Sequence, residues 1–392
     1  MLKEKLAILG FDRAPFEAEH DAYRESLRRF FQQHAAPNLK LWEKDGFFPQ
    51  SLFREAGKAG LLCPGIPAEY GGGGGDVRHH VIFHEEGGFT LGGAALETGM
   101  STDITAYCLL NSGTEAQRQQ WLPKIAAGEE IMEIAISEPD AGSDVQGIKA
   151  QAIRDGEDYI LNGQKMWITN GPLLTTLLVV ARTPETAGRD IFNMFLVPAN
   201  APGVTHVGPT ELLIRSAGGV SEFFFDNVRI PKANLLGGVE GKGLAAAFSV
   251  LLIGRVCMAA RSTATAELAL QLTLDHVKER KAFNQRIIDF QNTQFQLAAA
   301  AAEIAACRAL TDQAITGLYN GTLTDVEAAK AKYFTTEAEW RILDSCFQLF
   351  GGAAFSNDHP MSKIWTGGRA HRVFGGTSEI MRTIIARSLM KD

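Results

Sequence analysis

Cysteine is scarce in this sequence, and its placement argues against a disulfide framework. The five residues are odd in number, far apart and without a C-x-x-C pair: Cys63, Cys108, Cys257, Cys307 and Cys346. Paired or clustered cysteines are typical of disulfide-stabilised secreted domains and of structural zinc sites. Scattered single cysteines instead favour buried thiols in a reducing compartment. We therefore expect a cytoplasmic protein.

An excess of basic residues and a long apolar run are also lacking. The 38 Lys and Arg residues are outnumbered by 45 Asp and Glu residues, giving a formal net charge of −7, which argues against a nucleic-acid partner. No stretch of 18 uncharged apolar residues occurs, so we expect no membrane span. The opening MLKEKLAILGFDRAPFE has an apolar stretch too short, and too soon followed by charges, for a signal peptide.

Several common site motifs are missing. There is no G-x-S-x-G and no G-x-G-x-x-G after a predicted strand, which weakens hydrolase and Rossmann interpretations. The segment GGVEGKG (237–243) fails the spacing of a phosphate-binding P-loop. His80 and His84 have the i, i+4 spacing of zinc ligands, but no third ligand pattern accompanies them. We expect no metal site.

The patterning that is present predicts three consecutive domains, since 392 residues are too many for one ordinary core. Residues 1–125 have apolar residues at helical spacings. Residues 126–232 have alternating or β-branched runs, with Asp155-Gly156 as a hairpin turn, and predict an antiparallel β domain. Residues 233–392 predict four helices, the first running unbroken from GKGLAAAF to ERKAF and the third beginning after Thr324 as N-cap. The fold class is mainly α with a middle β domain.

The segment VFGGTSEI (373–380) interrupts the last helical pattern with two glycines and starts a new helix. One interpretation is a tight turn at Gly375-Gly376 followed by Thr377 as the N-cap. Another is a helix start whose amides face an anionic group, such as a phosphate or a thioester oxygen. The segment alone leaves both interpretations open.

Two segments of the predicted β domain suit a flat ligand with polar edges. SEPDAGSDV (137–145) is a loop of small residues whose amides and serine hydroxyls can form hydrogen bonds. NGQKMWITNG (162–171) places Trp167 beside Ile168 and Thr169 at a strand end. A flat aromatic side chain next to amides and hydroxyls suits an isoalloxazine ring. The alternative is a turn followed by a core tryptophan.

Eight motifs in order resemble the acyl-CoA dehydrogenase flavoprotein family over essentially the whole chain. They are PAEYGG (67–72), EAQRQQWLPKIAAGE (115–129), SEPDAGSDV, MWITNG, FFFDNVRIP (223–231), ERKAFNQ (279–285), QLFGG (348–352) and GGTSEI (375–380). The resemblance implies an N-terminal helical domain (1–125), a middle antiparallel β domain (126–232) and a C-terminal four-helix bundle (233–392). It also implies an FAD-dependent oxidoreductase of fatty acid metabolism that forms a homodimer or homotetramer.

The resemblance implies binding roles at the matching positions. The flavin ring of FAD would be held by Ile134, Ala135, Ile136, Ser137, Gly142, Ser143, Trp167, Ile168 and Thr169. The diphosphate and adenosine part would be held, largely from a neighbouring subunit, by Arg280, Phe283, Gln291, Gln348, Gly351 and Gly352. FAD contacts would continue at Thr377, Ser378 and Glu379, and the acyl substrate would contact Ser143, Arg255, Gly375 and Gly376.

The catalytic base of the family is missing from both of its usual positions. The implied reaction removes a proton from Cα of an acyl thioester while a hydride leaves Cβ for the flavin, which needs a carboxylate base in a dry pocket. Short- and medium-chain relatives keep a Glu where this chain has Gly375, and isovaleryl and long-chain relatives keep it where this chain has Gly254. Asp103 is the candidate base, with Glu97 nearby. A helix cap or a solvated helix residue is the alternative for Asp103.

Three functions are compatible with this departure. The first is a dehydrogenase of acyl-CoA or acyl-carrier thioesters with an unusual base, which would pass its electrons to an electron-transferring flavoprotein. The second is a flavin oxidase or monooxygenase of the same fold, whose chemistry needs less from a carboxylate. The third is a non-catalytic acyl-CoA-binding subunit of a hetero-oligomer. The complete set of flavin positions favours the first two.

Overall fold

The structure is a computed structural model that describes residues 13–90, 103–184, 190–213 and 218–390. Contacts group the chain into two compact units that interleave along the sequence. The helical unit comprises Met1–Ala36, Val77–Glu97 and Leu252–Asp392, and the sheet unit comprises Pro37–Asp76 and Thr98–Leu251. The three consecutive domains predicted from the sequence stay a prediction, because these units follow contacts and not chain order.

Helices make up most of the described chain. In chain order they are α1 (Ala18–Phe30), α2 (Leu39–Asp45), α3 (Gln50–Lys58), α4 (Val77–Thr90), α5 (Asp103–Ser112), α6 (Glu115–Ala126), α7 (Gly243–Phe248), α8 (Leu251–Glu279), α9 (Gln291–Tyr319), α10 (Asp325–Phe350), α11 (Pro360–His371) and α12 (Ser378–Leu389). The strands are β1 (Met132–Ala135), β2 (Gln151–Asp155), β3 (Asp158–Ile168), β4 (Thr176–Pro184), β5 (Asp190–Pro198), β6 (Val204–Val207), β7 (Ser221–Ile230), β8 (Lys281–Ala282) and β9 (Gln285–Arg286).

The helical unit has its main core among α8, α9, α10 and α11. Ala269, Ile304, Leu343 and Ile364, one from each of these helices, are fully buried in a single cluster. Small and branched residues at these positions let long helices pack closely over their whole length. The predicted C-terminal helical bundle is thereby confirmed, but α11 was not among the four predicted helices, of which the last is α12.

Two helix starts were predicted correctly, and one helix was predicted too long. Thr324 and Thr377 are N-caps, and each Oγ1 accepts a backbone N–H three residues later, from Glu327 and Ile380, at 3.2 Å. The first helix of the last block is not continuous, because α7 ends at Phe248 and α8 begins at Leu251. At the break the Ser249 hydroxyl donates to the Ala246 carbonyl at 2.7 Å, a local bond that competes with helix continuation.

The sheet unit contains a mixed sheet, which corrects the antiparallel prediction. The strand order is β1-β4-β2-β3-β7-β6, and β5 also pairs with β4. The pairs β2–β3, β3–β7, β4–β5 and β6–β7 are antiparallel, whereas β1 and β2 both pair with β4 in parallel. A parallel pair needs a long crossover connection, and the loop and hairpin between β1 and β4 supply it. The predicted hairpin at Asp155-Gly156 joins β2 to β3.

One helical stretch meets the length and composition test for a membrane span, although the sequence predicted none. Gly243–Glu279, which includes α7 and α8, is long and apolar enough to cross a membrane by length and composition. Its most apolar window is 56% buried inside the structure. Core helices of soluble proteins pass the same test, so the stretch is weak support for a span. The absence of a span stays a prediction.

Candidate functional site

The loop after β1 is anchored to β3 by a buried ion pair. Lys165 is fully buried, and its Nζ donates to the Ile136 carbonyl at 2.9 Å and to Glu138 Oε1 at 2.7 Å. Glu138 also accepts the backbone N–H groups of Lys149 and Ala150. Burial lowers the pKa of Lys165 to about 8, although the bond to Glu138 opposes this shift. The predicted flavin-binding loop is therefore held by two side chains that the sequence did not single out.

Trp167 lies on a β-bulge with its backbone in the left-handed region. The register between β3 and β7 shifts between Lys165 and Ile168, and Trp167 has a φ of 61°. A bulky side chain at positive φ is an outlier that costs free energy, and such strain clusters at functional sites. The indole is 53% exposed, so the alternative of a core tryptophan is wrong. A flat aromatic surface is available to a ligand here.

The other predicted flavin-ring positions of the sheet unit differ in exposure. Ile134 and Ala135 are on β1, and Ala135 is fully buried, so only its backbone can meet a ligand. Ser137 accepts the Met166 N–H through its carbonyl at 3.0 Å. Gly142 and Ser143 are exposed. A Cβ added at Gly142 would meet no described atom within 4 Å, so the chain is open on that side of Gly142. Ile136, Ser137 and Thr169 are half-buried, and Ile168 is buried.

A carboxyl group with a raised pKa, that of Glu133, lies on β1 next to Ile134. Glu133 accepts a hydrogen bond from the Asn170 side chain at 3.1 Å. Burial holds the pKa of Glu133 well above its usual range, and the bond from Asn170 opposes this only in part. Asn170 itself has a φ of 58°, a conformation that asparagine tolerates better than most residues. The sequence reasoning missed Glu133, because nothing marks the carboxyl group of a single, half-buried Glu on a short strand as desolvated.

In the helical unit, the positions predicted to bind FAD from a neighbouring subunit are all exposed. They are Arg280, Phe283, Gln291, Gln348, Gly351 and Gly352. Phe283 is 91% exposed and forms the β8–β9 turn with Asn284 at φ values of 51° and 62°. Two successive positive φ values match a type I′ hairpin turn, which presents the aromatic ring outward. Exposure fits contact with another molecule, and the FAD-binding roles stay predictions.

The glycine turn before α12 is fixed by a lysine from α10. Gly375 and Gly376 have φ values of 66° and 92°, which favour glycine. The fully buried Lys332 donates from Nζ to the Gly376 carbonyl at 2.7 Å. Burial lowers the pKa of Lys332 to about 8. The turn is therefore tied to the bundle, which the sequence did not reveal because Lys332 is remote from it along the chain.

The three residues after the turn differ in burial and in hydrogen bonding. Ser378 is buried, and its hydroxyl donates to Glu337 Oε1 at 2.6 Å. A ligand can therefore reach its backbone more readily than its hydroxyl. Glu379 is exposed. The Thr377 hydroxyl caps α12, so the turn-and-cap interpretation is confirmed while the predicted FAD contacts stay predictions.

The two positions at which the resemblance implies a base in relatives are linked through Met258. A Cβ added at Gly375 would lie 3.7 Å from Met258 Cγ. Met258 follows Gly254 by one helical turn, so the two residues share a face of α8. Arg255 is buried, and its Nη1 donates to Asp325 Oδ1 at 3.3 Å. The candidate base Asp103 is the first residue of α5, but its side chain and Glu97 lie outside the described residues.

The structure adds a third ligand-type side chain to the histidine pair of α4. His80, His84 and Cys257 are all buried, and their candidate ligand atoms lie within 4.8 Å of one another. Burial, the neighbouring His80 and the Arg261 cation hold the pKa of His84 well below its usual range. The sequence reasoning missed Cys257 because it comes from a different helix. The absence of a metal stays a prediction.

Known proteins match the chain over nearly its full length. Residues 17–129, 133–228 and 241–390 match the N-terminal, middle and C-terminal domains of acyl-CoA dehydrogenase. The long-chain specific acyl-CoA dehydrogenase of Sus scrofa mitochondria is 35% identical over 99% of this chain and 90% of its own. A crystal structure of an acyl-CoA dehydrogenase from Geobacillus kaustophilus is 34% identical, with a TM-score of 0.91 over 96% of this chain and 99% of its own.

A cofactor complex is among the similar structures. An acyl-CoA dehydrogenase from Bacillus anthracis complexed with FAD is 26% identical, with a TM-score of 0.89 over 97% of this chain and 68% of its own. These matches agree with the motif order, the mixed sheet flanked by helices and the helical bundle. The chain belongs to the acyl-CoA dehydrogenase family, an FAD-dependent family of oxidoreductases.

Proposed function

We propose that this chain catalyses the FAD-dependent α,β-dehydrogenation of an acyl-CoA or acyl-carrier thioester with a base outside the two usual positions. Family membership supports acyl-CoA dehydrogenation in general. The observation that carries the proposal is Trp167. Its backbone is strained, its indole is exposed, and it follows Met166, which bonds to the loop after β1. A subunit without flavin has no reason to keep an aromatic residue in this costly conformation.

The residues present fit FAD. The Trp167 indole offers a flat apolar face, and the exposed Gly142-Ser143 segment offers amides and a hydroxyl. At Gly352 an added Cβ would meet no described atom within 4 Å, so the backbone there can approach a diphosphate, whereas the Gly351 N–H already donates to the Gln348 carbonyl. When bound, FAD supplies the acceptor for the hydride from Cβ of the thioester.

The chain's own residues bind and orient the substrate. The Gly375-Gly376 turn would offer a backbone amide to the thioester oxygen, and Lys332 fixes that turn through the Gly376 carbonyl. Preorganised donors of this kind stabilise the negative charge that develops on the oxygen when Cα loses its proton. Asp103 is the proposed acceptor of that proton.

A second candidate is an oxidase or monooxygenase of the same fold. The observation that favours it is the pair of glycines, Gly254 and Gly375, at the two usual base positions. Reactions of reduced flavin with oxygen do not require proton removal from an acyl Cα. The two candidates differ in whether a thioester alone reduces the flavin.

An anaerobic titration separates the candidates. The purified protein with bound FAD is mixed with straight and branched acyl-CoAs, and flavin absorbance and enoyl product are measured. We expect bleaching with a matching enoyl product. Asp103→Asn should slow bleaching at least about 100-fold, the usual scale for loss of a general base, and Asp275→Asn on exposed α8 surface is the control.

Other results would change the assignment. Flavin that no acyl-CoA bleaches, but that consumes oxygen with an external reductant, supports the oxidase or monooxygenase. A protein that binds acyl-CoA without FAD supports the non-catalytic subunit. An Asp103→Asn variant that bleaches at the wild-type rate removes Asp103 as the base.

We also propose a homodimer or homotetramer in the cytoplasm that passes electrons to an electron-transferring flavoprotein. The hairpin that exposes Phe283 supports oligomerisation, because the resemblance implies that this segment helps to bind FAD across a subunit boundary and the ring is 91% exposed. Five free, buried thiols are consistent with a reducing compartment. Light scattering of wild type and Phe283→Ser tests the oligomer, and reoxidation kinetics with an electron-transferring flavoprotein or oxygen test the acceptor.

A further inference from the structure

Arg255 is a buried cation whose charge is poorly compensated. Its side chain is only 8% exposed, and its Nε is buried without a hydrogen-bond partner among the described residues. Burial lowers the pKa of Arg255, which reflects the cost of placing this charge away from water. A guanidinium has five donors in a planar fork suited to a carboxylate, and here the fork is incompletely used.

The ion-pair partner that Arg255 does have is weak. Asp325 Oδ1 lies 3.3 Å from Arg255 Nη1, and the Asp325 side chain is 74% exposed. Ion pairs with an exposed partner contribute little, whereas burying a charge is costly. Asp325 is also the first residue of α10, where a carboxylate already interacts with the positive end of the helix.

A second buried cation, Lys332, interacts with Arg255. Their charges are near enough for Arg255 to contribute to the lowered pKa of Lys332. Two of the carboxylates that also act on Lys332 have other partners, since Glu337 binds Arg372 and Ser378 and Glu339 binds His371 at 2.8 Å. The third, Glu379, is exposed to solvent.

Neither glycine position near Arg255 in the sequence or beside Met258 supplies an anion. Gly254 precedes Arg255, and a Cβ added at Gly375 would lie 3.7 Å from Met258 Cγ, one turn after Arg255 on α8. Because both positions are glycines, no carboxylate from either one compensates the guanidinium. A buried cation that is under-compensated by the protein's own carboxylates is the arrangement expected of an anion-binding position.

We propose that Arg255 forms a subsite for a carboxylate, carried either by the acyl chain of the substrate or by a small free carboxylate. The first source rests on the proposed function, because the thioester must bring the acyl chain to this subsite. The bidentate geometry of a carboxylate matches the guanidinium fork, and its charge offsets the burial of Arg255 and Lys332. The substrate class would then be acyl thioesters with an acidic end.

The test compares two thioesters that differ in one group. Glutaryl-CoA and valeryl-CoA have the same chain length and end in a carboxylate or a methyl group. Their dissociation constants for the FAD-loaded protein are measured by calorimetry without oxygen. We expect glutaryl-CoA to bind about 10- to 100-fold more tightly, the range for a charge-assisted hydrogen bond. Arg255→Met should remove this preference, so that the two dissociation constants agree within about twofold.

The second arm tests free carboxylates. Glutarate and acetate, against chloride at equal ionic strength, should raise the Tm of the wild type and not of Arg255→Met. Arg341→Met, which removes an exposed arginine paired with Glu303 on the same bundle, is the matched control for both arms. A Tm effect without thioester preference identifies the free carboxylate as the source.

The subsite is overturned if neither arm depends on Arg255. Equal binding of both thioesters, together with equal Tm shifts in the wild type and Arg255→Met, is that outcome. This differs from failure of the proposed function, in which no acyl-CoA bleaches the flavin. Binding and Tm are measured without turnover, so a carboxylate subsite remains detectable in a protein that catalyses no dehydrogenation.

Discussion

Gly375 lies against Met258, one helical turn beyond Gly254, so the two positions where relatives keep a base border the same small region. The nearest described atom to a Cβ at Gly375 is Met258 Cγ, at 3.7 Å. Because both residues are glycines, neither α8 nor the turn before α12 supplies a carboxylate to this region. A single substitution at either position places a carboxylate in that region.

Restoring a carboxylate from α8 should accelerate dehydrogenation. Gly254→Glu is in a helix, where glutamate is favoured over glycine, so the fold should tolerate it. In the Asp103→Asn background, where the proposed base is absent, we expect Gly254→Glu to accelerate anaerobic flavin bleaching by an uncharged acyl-CoA at least about 100-fold, the scale of general base catalysis. Gly254→Gln, of equal size and without charge, is the control. Equal rates in the two variants would show that this region does not face the acyl Cα.

The same glutamate should be less well tolerated in the turn. Gly375 has a φ of 66°, and a left-handed conformation costs a non-glycine residue about 1–2 kcal/mol. We expect Gly375→Glu to lower Tm, by roughly 1 °C per kcal/mol in a chain of 392 residues, and Gly254→Glu to leave Tm unchanged or higher. Thermal unfolding of the FAD-loaded variants measures both. A Gly375→Glu variant as stable as the wild type would contradict the strain argument.

Lys165 anchors the predicted flavin-binding loop, whereas Lys149 does not. We therefore expect substitution of Lys165 to change stability and FAD retention strongly, and substitution of Lys149 to change them little. Lys165→Met leaves Glu138 buried without its cation, which costs about 3–5 kcal/mol for a buried pair broken on one side. It also frees the Ile136 carbonyl, so we expect weaker FAD retention on gel filtration. Lys149→Met breaks an exposed pair with Asp140 and should change neither Tm nor FAD content. Similar effects of the two substitutions would argue against the anchor.

Features encoded by neighbouring residues could be predicted from the sequence. The N-caps Thr324 and Thr377 bond to amides three residues away, and the hairpin at Asp155-Gly156 joins adjacent strands. The helical bundle and the middle β domain follow from periodicity, and the motif order added the family. Local bonds and periodicity need no knowledge of which distant segments meet.

Features that depend on distant segments were missed. The parallel pairing of β1 with β4 depends on which strand edges meet in the folded sheet, whereas hairpin signals report only neighbours. The bond from Lys332 to Gly376 and the approach of Cys257 to His80 join different helices. Tertiary contacts decided each of these points. The break after Phe248 was also missed, although the bond found there, from the Ser249 hydroxyl to the Ala246 carbonyl, is local.

The raised pKa of Glu133 predicts a pH-dependent stability. Because its pKa is higher in the folded protein than in the unfolded chain, its contribution is fully present below the unfolded value and is lost as pH rises through the folded value. Glu133→Gln keeps the hydrogen bond with Asn170 and removes the titration. We expect the variant to be more stable than the wild type at pH 8, with the difference vanishing toward pH 4, in denaturant unfolding. Glu129→Gln, an exposed neighbour, should show no such trend.

Lys332 should affect catalysis more than stability. Lys332→Met removes a buried charge, which stabilises the fold, and leaves the Gly376 carbonyl without its donor, which destabilises it. These effects oppose each other, so we expect a small change in Tm. The Gly375-Gly376 amides then lose their fixed position, and we expect kcat to fall about tenfold, less than for direct loss of an oxyanion donor, with KM changed less than about twofold. Lys330→Met, exposed on the same helix, should leave kcat unchanged. A fall in Tm with an unaltered kcat would assign Lys332 a purely structural role.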